Sequence, residues 1–124
     1  MTTRVLVVED SLTEANYLSE LLKDQGFKIV NVTTAEAGSK IVEEKEINLI
    51  FLDVVLPGKS GFEFCRALKN NEQTKNIPVI ICSSKNTEID KKWGLKQGAS
   101  AYLTKPVDKQ ELMQVLSSLN FLNI

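Results

Sequence analysis

The residues of this chain that could do chemistry are few, and each stands where an apolar stretch stops. Glu9 and Asp10 follow "RVLVV", and Asp53 follows "LIFL" in "NLIFLDVVLPGKSG". Ser83 and Ser84 follow "PVIIC", while Lys105 and Pro106 come just after "AYL". A strand buried on both faces reads as a short continuous apolar run. A carboxylate at the end of such a run is costly to bury alone, so Asp53 marks either the strand's exit or a site. If the three acids meet, they repel one another, and at least one takes a proton unless a cation joins them. Oxygen donors without thiolate or imidazole favour Mg²⁺, which binds through one or two carboxylates, waters and phosphate oxygens. A lysine adds a point charge for a carboxylate or phosphoryl oxygen, and a serine adds a hydroxyl donor. The set suits phosphoryl transfer onto a carboxylate, where positioning and charge neutralisation carry most of the work. Asp53 is the expected nucleophile.

Composition narrows the alternatives. The chain of 124 residues contains no histidine, which excludes Ser-His-Asp and Cys-His catalysis, histidine-ligated metal and phosphohistidine on this chain. Its 15 basic and 16 acidic residues nearly cancel, so whole-chain charge gives no reason to expect nucleic acid or an acidic membrane as partner. Cys65 and Cys82 lack CxxC spacing and sit in apolar surroundings, as expected of two reduced core residues in a cytosol. The start "MTTRVLVVEDS" does not resemble a signal peptide, and no apolar run approaches membrane-spanning length. The expected location is the cytoplasm, with no membrane partner.

Short apolar runs and longer amphipathic ones alternate to position these residues. "RVLVV" precedes Ser11-Leu12-Thr13-Glu14, a capping-box pattern, and a helix carrying Leu18, Leu21 and Leu22 that Gly26 stops. "KIVNV" precedes a second box at Thr33–Glu36, and "INLIFL" a third at Ser60–Glu63. "PVIIC" precedes a looser version at Thr87–Asp90 and a helix that Gly98 ends. "AYL" precedes Asp108 with Glu111 and then "LMQVLSSL". Five strand–helix pairs predict an α/β fold: a doubly wound, mostly parallel sheet with helices on both faces. Ligands of such sheets bind outside the carboxyl ends of the strands where strand order reverses, which is where these residues fall.

In "VLVVEDS", "LIFLDVVLPGKSGFE", "IPVIICSSK" and "GASAYLTKPVD", in this order and spacing, the chain resembles the CheY-like receiver domain of two-component response regulators. The resemblance covers essentially the whole chain, read as one receiver domain over residues 1–124. It implies a flavodoxin-like three-layer sandwich with strand order 2-1-3-4-5. It further implies that Asp53 is the phosphoacceptor, served by the phosphohistidine of a partner kinase. Asp10 would bind Mg²⁺ directly, Glu9 through water, and the Val55 carbonyl would be a further ligand beside Asp53. Ser83 matches the switch hydroxyl, Lys105 the lysine on a phosphoryl oxygen, Lys105-Pro106 the family's cis peptide, and Tyr102 the aromatic switch position. Helix 4, strand 5 and helix 5, carrying Trp93 and Tyr102, would form the output surface for a downstream protein. Val55 and Lys85 occupy the two positions that tune phosphoryl lifetime. Val55 cannot hydrogen-bond an attacking water, so the expectation is a phosphorylated state longer-lived than that of CheY.

A narrower resemblance lies in "TEIDKKWGLKQGASAYLTKPVD", which is similar to stand-alone regulators of type IV pilus, twitching and phototaxis chemosensory systems. On this reading the chain is a signalling switch and not a metabolic enzyme, with only slow self-catalysed phosphotransfer and dephosphorylation. The ends of the chain suggest a complete single-domain protein. An excised receiver of a longer regulator, or a phosphate sink without its own output, are the alternatives. Patterning leaves homodimerisation on activation open.

Rival readings fit less well. A flavodoxin's first loop must cradle phosphate, whereas "VEDSLTE" offers acids that would repel it. A phosphatase with an aspartate nucleophile carries two aspartates around one residue at strand 1, which "VVED" lacks, and no G-x-x-x-x-G-K-[ST] occurs. Acids near a helix start are also favoured by the helix dipole, but that does not account for Lys105. On helix 4, Ile89, Trp93 and Lys96 or Gln97 share one side, so Trp93 reads as either core or docking residue.

Overall fold

The computed structural model describes residues 2–122. Five strands, β1 (Arg4–Val8), β2 (Lys28–Val32), β3 (Leu49–Leu52), β4 (Val79–Ser83) and β5 (Ala101–Thr104), alternate with five helices. These are α1 (Leu12–Lys23), α2 (Ala35–Glu44), α3 (Gly61–Lys69), α4 (Glu88–Lys96) and α5 (Lys109–Ser118). The strands form one parallel sheet in the order β2-β1-β3-β4-β5, as the resemblance implies.

The continuous apolar strands follow from a sheet covered on both faces. In β1, Val5 and Val7 pack with Leu18 and Leu22 of α1 and Leu112 and Leu116 of α5. Their neighbours Leu6 and Val8 face the other way, onto Ala35 of α2 and Phe64, Cys65 and Leu68 of α3. β3 divides likewise, with Leu49 and Phe51 on one face and Ile50 and Leu52 on the other. Side chains that alternate across the sheet thus feed two cores, and β1, β3 and β4 read as unbroken apolar runs. Edge strand β2 alternates towards solvent. Cys65 and Cys82 are buried and free, and burial pushes both thiols above their ordinary range.

The helix starts depart in detail from the capping patterns. Ser11, Thr34, Ser60, Thr87 and Asp108 each cap a helix by accepting a backbone N–H. The second cap is Thr34, one residue later than expected, with Ala37 donating to it. Only the looser pattern closes as a reciprocal box among the described residues. The Asp90 N–H donates to Thr87 Oγ1 at 3.1 Å, and the Thr87 N–H donates to Asp90 Oδ2 at 3.2 Å. Gly26 and Gly98 end α1 and α4 with φ of +85° and +106°, which glycine adopts without penalty.

The box makes α4 sensitive to acid. Hydrogen bonds from Thr87 hold the Asp90 carboxyl below its ordinary value of 3.8. A carboxyl with a depressed folded value contributes stability that is present above that ordinary value and lost as pH falls below it. Amides at the start of α4 are therefore expected to exchange faster at pH 3 than at pH 5 relative to those of α3. Asp90→Asn should remove most of that difference.

Candidate functional site

The first, third and fifth strands deliver their end residues to one place because they run parallel and in register. The Asp53 N–H donates to the Val8 carbonyl at 3.1 Å, which continues the β1–β3 ladder one step beyond the strands. Asp53 is thereby set beside Glu9 and Asp10. On the other side, the Lys105 N–H donates to the Ser83 carbonyl at 3.0 Å, extending the β4–β5 pairing. The peptide between Lys105 and Pro106 is cis, as expected.

Glu9, Asp10 and Asp53 each offer a carboxylate oxygen, and these oxygens all lie within 4.8 Å of one another. Asp53 and Glu9 are buried, at 8% and 6% exposure, whereas Asp10 is exposed. The Lys105 ammonium donates to Asp53 Oδ2 at 2.8 Å and to Glu9 Oε1. A third carboxylate, that of Glu14 on the first turn of α1, also accepts from Lys105. Three carboxylates therefore share one ammonium, and a fourth, that of Asp10, lies beside two of them.

Electrostatics follow from that imbalance. Burial pushes the Glu9 carboxyl above its ordinary value, although hydrogen bonds from Lys105 and from the Ser11 N–H pull the other way. Burial acts to lower the Lys105 ammonium, yet its bonds to Asp53, Glu14 and Glu9 outweigh it and hold the amine above its ordinary range. Lys105 is thus a permanent cation at any physiological pH.

The donor set fits a magnesium ion. All the carboxylate donors are hard oxygens gathered within 4.8 Å, the ligand chemistry that magnesium takes. Asp10 is exposed and has no contact with Lys105, while Glu9 is committed to Lys105 and the Ser11 N–H. Val55 meets the site through its backbone: its N–H donates to Asp53 Oδ1 at 3.2 Å, and its side chain is 54% exposed.

Ser83 ends β4. It is fully buried, its Oγ accepts from the Lys85 N–H at 3.2 Å, and its hydroxyl also bears on the Tyr102 phenol. Tyr102 is half-buried on β5, and its hydroxyl donates to the Lys85 carbonyl at 2.6 Å. That bond ties the loop after β4 to the β5 side chain. Gly94 of α4 makes room for the ring: a Cβ there would come within 2.8 Å of Tyr102 Cδ2. Trp93 is 45% exposed and belongs to the surface, forming a shallow patch with Ile89, Lys92 and Lys96. The Lys96 ammonium lies 5.7 Å from the Trp93 ring centroid, while Gln97 is buried, so Lys96 is the residue that shares its side.

Glu14 is the site residue the sequence reading missed. Its spacing pointed to a box with Ser11, but the Ser11 N–H donates to Glu9 Oε2 at 3.1 Å, and Glu14 turns to Lys105 instead. The available signal was its place in the first turn of the helix that follows Glu9 and Asp10.

Comparison with known proteins agrees with this arrangement. The family model described as the response regulator receiver domain matches residues 5–117. Protein PilH of Pseudomonas aeruginosa is 36% identical over 116 residues, covering 94% of this chain and 96% of PilH. Sensory transduction protein RegX3 of Mycobacterium tuberculosis is 37% identical over 111 residues, but those cover 90% of this chain and 48% of RegX3. Among solved structures, chemotaxis protein CheY4 of Vibrio cholerae superposes with a TM-score of 0.87 at 25% identity, covering 95% of this chain and 98% of CheY4. Sequence, fold and the disposition of Asp53, Asp10 and Lys105 lead to one conclusion: the chain belongs to the response regulator receiver domain family.

Proposed function

We propose that this chain is a cytoplasmic phosphoacceptor switch that takes a phosphoryl group on Asp53 from the phosphohistidine of a kinase and regulates a motility partner. The observation that carries the reading is the Asp53 carboxylate, 2.8 Å from the Lys105 ammonium and clustered with Glu9 and Asp10. An Asp53 oxygen attacks phosphorus, the P–N bond of the donor breaks, and the imidazole leaves. Later a water attacks phosphorus, the P–O bond to Asp53 breaks, and inorganic phosphate departs. The chain is then not an enzyme in the metabolic sense, since it turns over only its own modification. Asp10, Asp53, the Val55 carbonyl and, through water, Glu9 would hold Mg²⁺, which supplies neutralising charge to the phosphoryl oxygens when bound.

The output follows from bonds gained by the phosphoryl group. Lys105 and Ser83 each carry a proton for a phosphoryl oxygen, and charge-assisted hydrogen bonds contribute about 1.5–3 kcal/mol each. Moving a two-state equilibrium from mostly off to mostly on takes about 5.5 kcal/mol, so two such bonds are of the right size. Recruiting Ser83 disturbs the Lys85 N–H bond, and Lys85 is tied to Tyr102 and so to the α4–β5 surface bearing Trp93. The pilus association rests on the likeness to PilH together with the "TEIDKKWGLKQGASAYLTKPVD" segment.

Trp93 fluorescence tests this reading during titration with Mg²⁺ and beryllium fluoride on wild type and Asp53→Asn. A saturable, Mg²⁺-dependent change that the variant lacks is expected; equal responses in both would refute it. The same preparation checks the lifetime. Val55 offers no side-chain hydrogen bond to an attacking water, so Val55→Asn is expected to shorten the phosphorylated state several-fold. A wild-type lifetime of seconds would contradict the expectation.

A further inference from the structure

Beyond the acceptor reading, and resting on it, the structure assigns Glu14 a role: we propose that it is a positioning acid that restrains Lys105 and slows entry of phosphoryl donors. Three observations converge on it. An ammonium has three protons to donate, and Lys105 already has three carboxylate acceptors in Glu9, Glu14 and Asp53. A phosphoryl oxygen can take a place on Lys105 only if one of them gives way. Glu9 is buried and also accepts from the Ser11 N–H, and Asp53 is the acceptor itself. Glu14 is the partner free to leave, since its side chain is 47% exposed.

The helix start supplies the second observation. Ser11 caps α1 by accepting the Glu14 N–H, but the Glu14 carboxylate does not return to the Ser11 N–H as a reciprocal box would require. The local capping partner is given up for a contact 91 positions away in sequence.

The third is the cleft beside Lys105. Glu14 lines the 570 Å³ cleft between α1 and the loop after β5, together with Glu9, Tyr17, Ser84, Lys105 and Pro106. A phosphoryl oxygen that approaches Lys105 from this cleft meets a carboxylate whose charge opposes its own. Removing that charge frees Lys105 and lowers the repulsion at once. Glu14 touches neither the donor's reacting atoms nor Asp53, and acts through Lys105.

Labelling of intact protein by acetyl phosphate with Mg²⁺, followed by mass spectrometry, tests the proposal on wild type, Glu14→Gln, Glu14→Asp and Glu20→Gln. Glu20 is an exposed acid of the same helix, so its variant controls for net charge. Glu14→Gln is expected to label about five- to tenfold faster at low salt, with a lower half-saturating acetyl phosphate concentration and a smaller advantage at high salt. Glu14→Asp should restore most of the restraint, and Glu20→Gln should match wild type. If wild type labels on Asp53 and Glu14→Gln labels at the same rate or slower, Glu14 has no such role. If wild type itself takes no phosphoryl group, the acceptor reading falls, and this proposal falls with it.

Discussion

Gly61→Ala is expected to destabilise the protein by about 3 kcal/mol and to impair the site at the same time. Gly61 opens α3, directly after the loop that leaves Asp53. A Cβ at this position would stand 2.0 Å from the Asp53 carbonyl oxygen and 2.7 Å from Val54 Cα. Both neighbours are backbone, so no side-chain rotamer can relieve the contact. The Gly61 N–H donates to the Val54 carbonyl at 3.0 Å, and this bond closes the loop over the strand end. Moving α3 away would open the packing of Phe64 and Cys65 against β1 and β3, while moving the loop would displace Asp53 and the Val55 N–H from one another. Urea unfolding and Mg²⁺ affinity should therefore both suffer. A variant with wild-type stability would show that the close approach is absent in solution.

Lys105→Met carries the second large effect, and its size depends on pH. The substitution removes the cation shared by Glu9, Glu14 and Asp53 and leaves two nearly buried carboxylates without it. Breaking a fully buried pair costs about 3–5 kcal/mol, and an open mouth with exposed Asp10 and Glu14 reduces that to about 2–3 kcal/mol near neutral pH. Glu9 would lose a bond that lowers its value while the burial that raises it stays. A carboxyl with a raised folded value favours folding fully below its ordinary value of 4.5, and loses that contribution as pH rises through the folded value. The deficit of the variant should thus be small near pH 4.5 and largest at pH 7.5 and above. Mg²⁺ should narrow it, because the ion replaces part of the missing charge. Thermal melts of both proteins across that range, with and without Mg²⁺, measure the difference directly.

What could be read from the residues, and what could not, has a physical basis. Strands buried on both faces leave unbroken apolar runs, so β1, β3 and β4 and the polar residues at their ends are visible as soon as the runs are found. Lateral strand order leaves no such trace, since it depends on which face each crossover takes; here it came from the family resemblance. Glu14 was hidden because Ser11 three residues before it offers a complete local explanation, and only the fold brings Lys105 close enough to compete. Thr33 and Thr34 are equivalent as letters, and the geometry of α2 chose the second. Trp93 was undecided between core and surface, because a short helix with Gly94 facing the sheet leaves its other sides to solvent. The steric roles of Gly61 and Gly94 exist only between segments distant in sequence or across a turn, so no local pattern records them.

The central claim is that Asp53 is the phosphoacceptor, and peptide mass spectrometry after acetyl phosphate treatment tests it most directly. One added phosphoryl group is expected on the peptide containing Asp53, dependent on Mg²⁺ and absent from Asp53→Asn. No adduct on wild type, or an equal adduct on the variant, would contradict it.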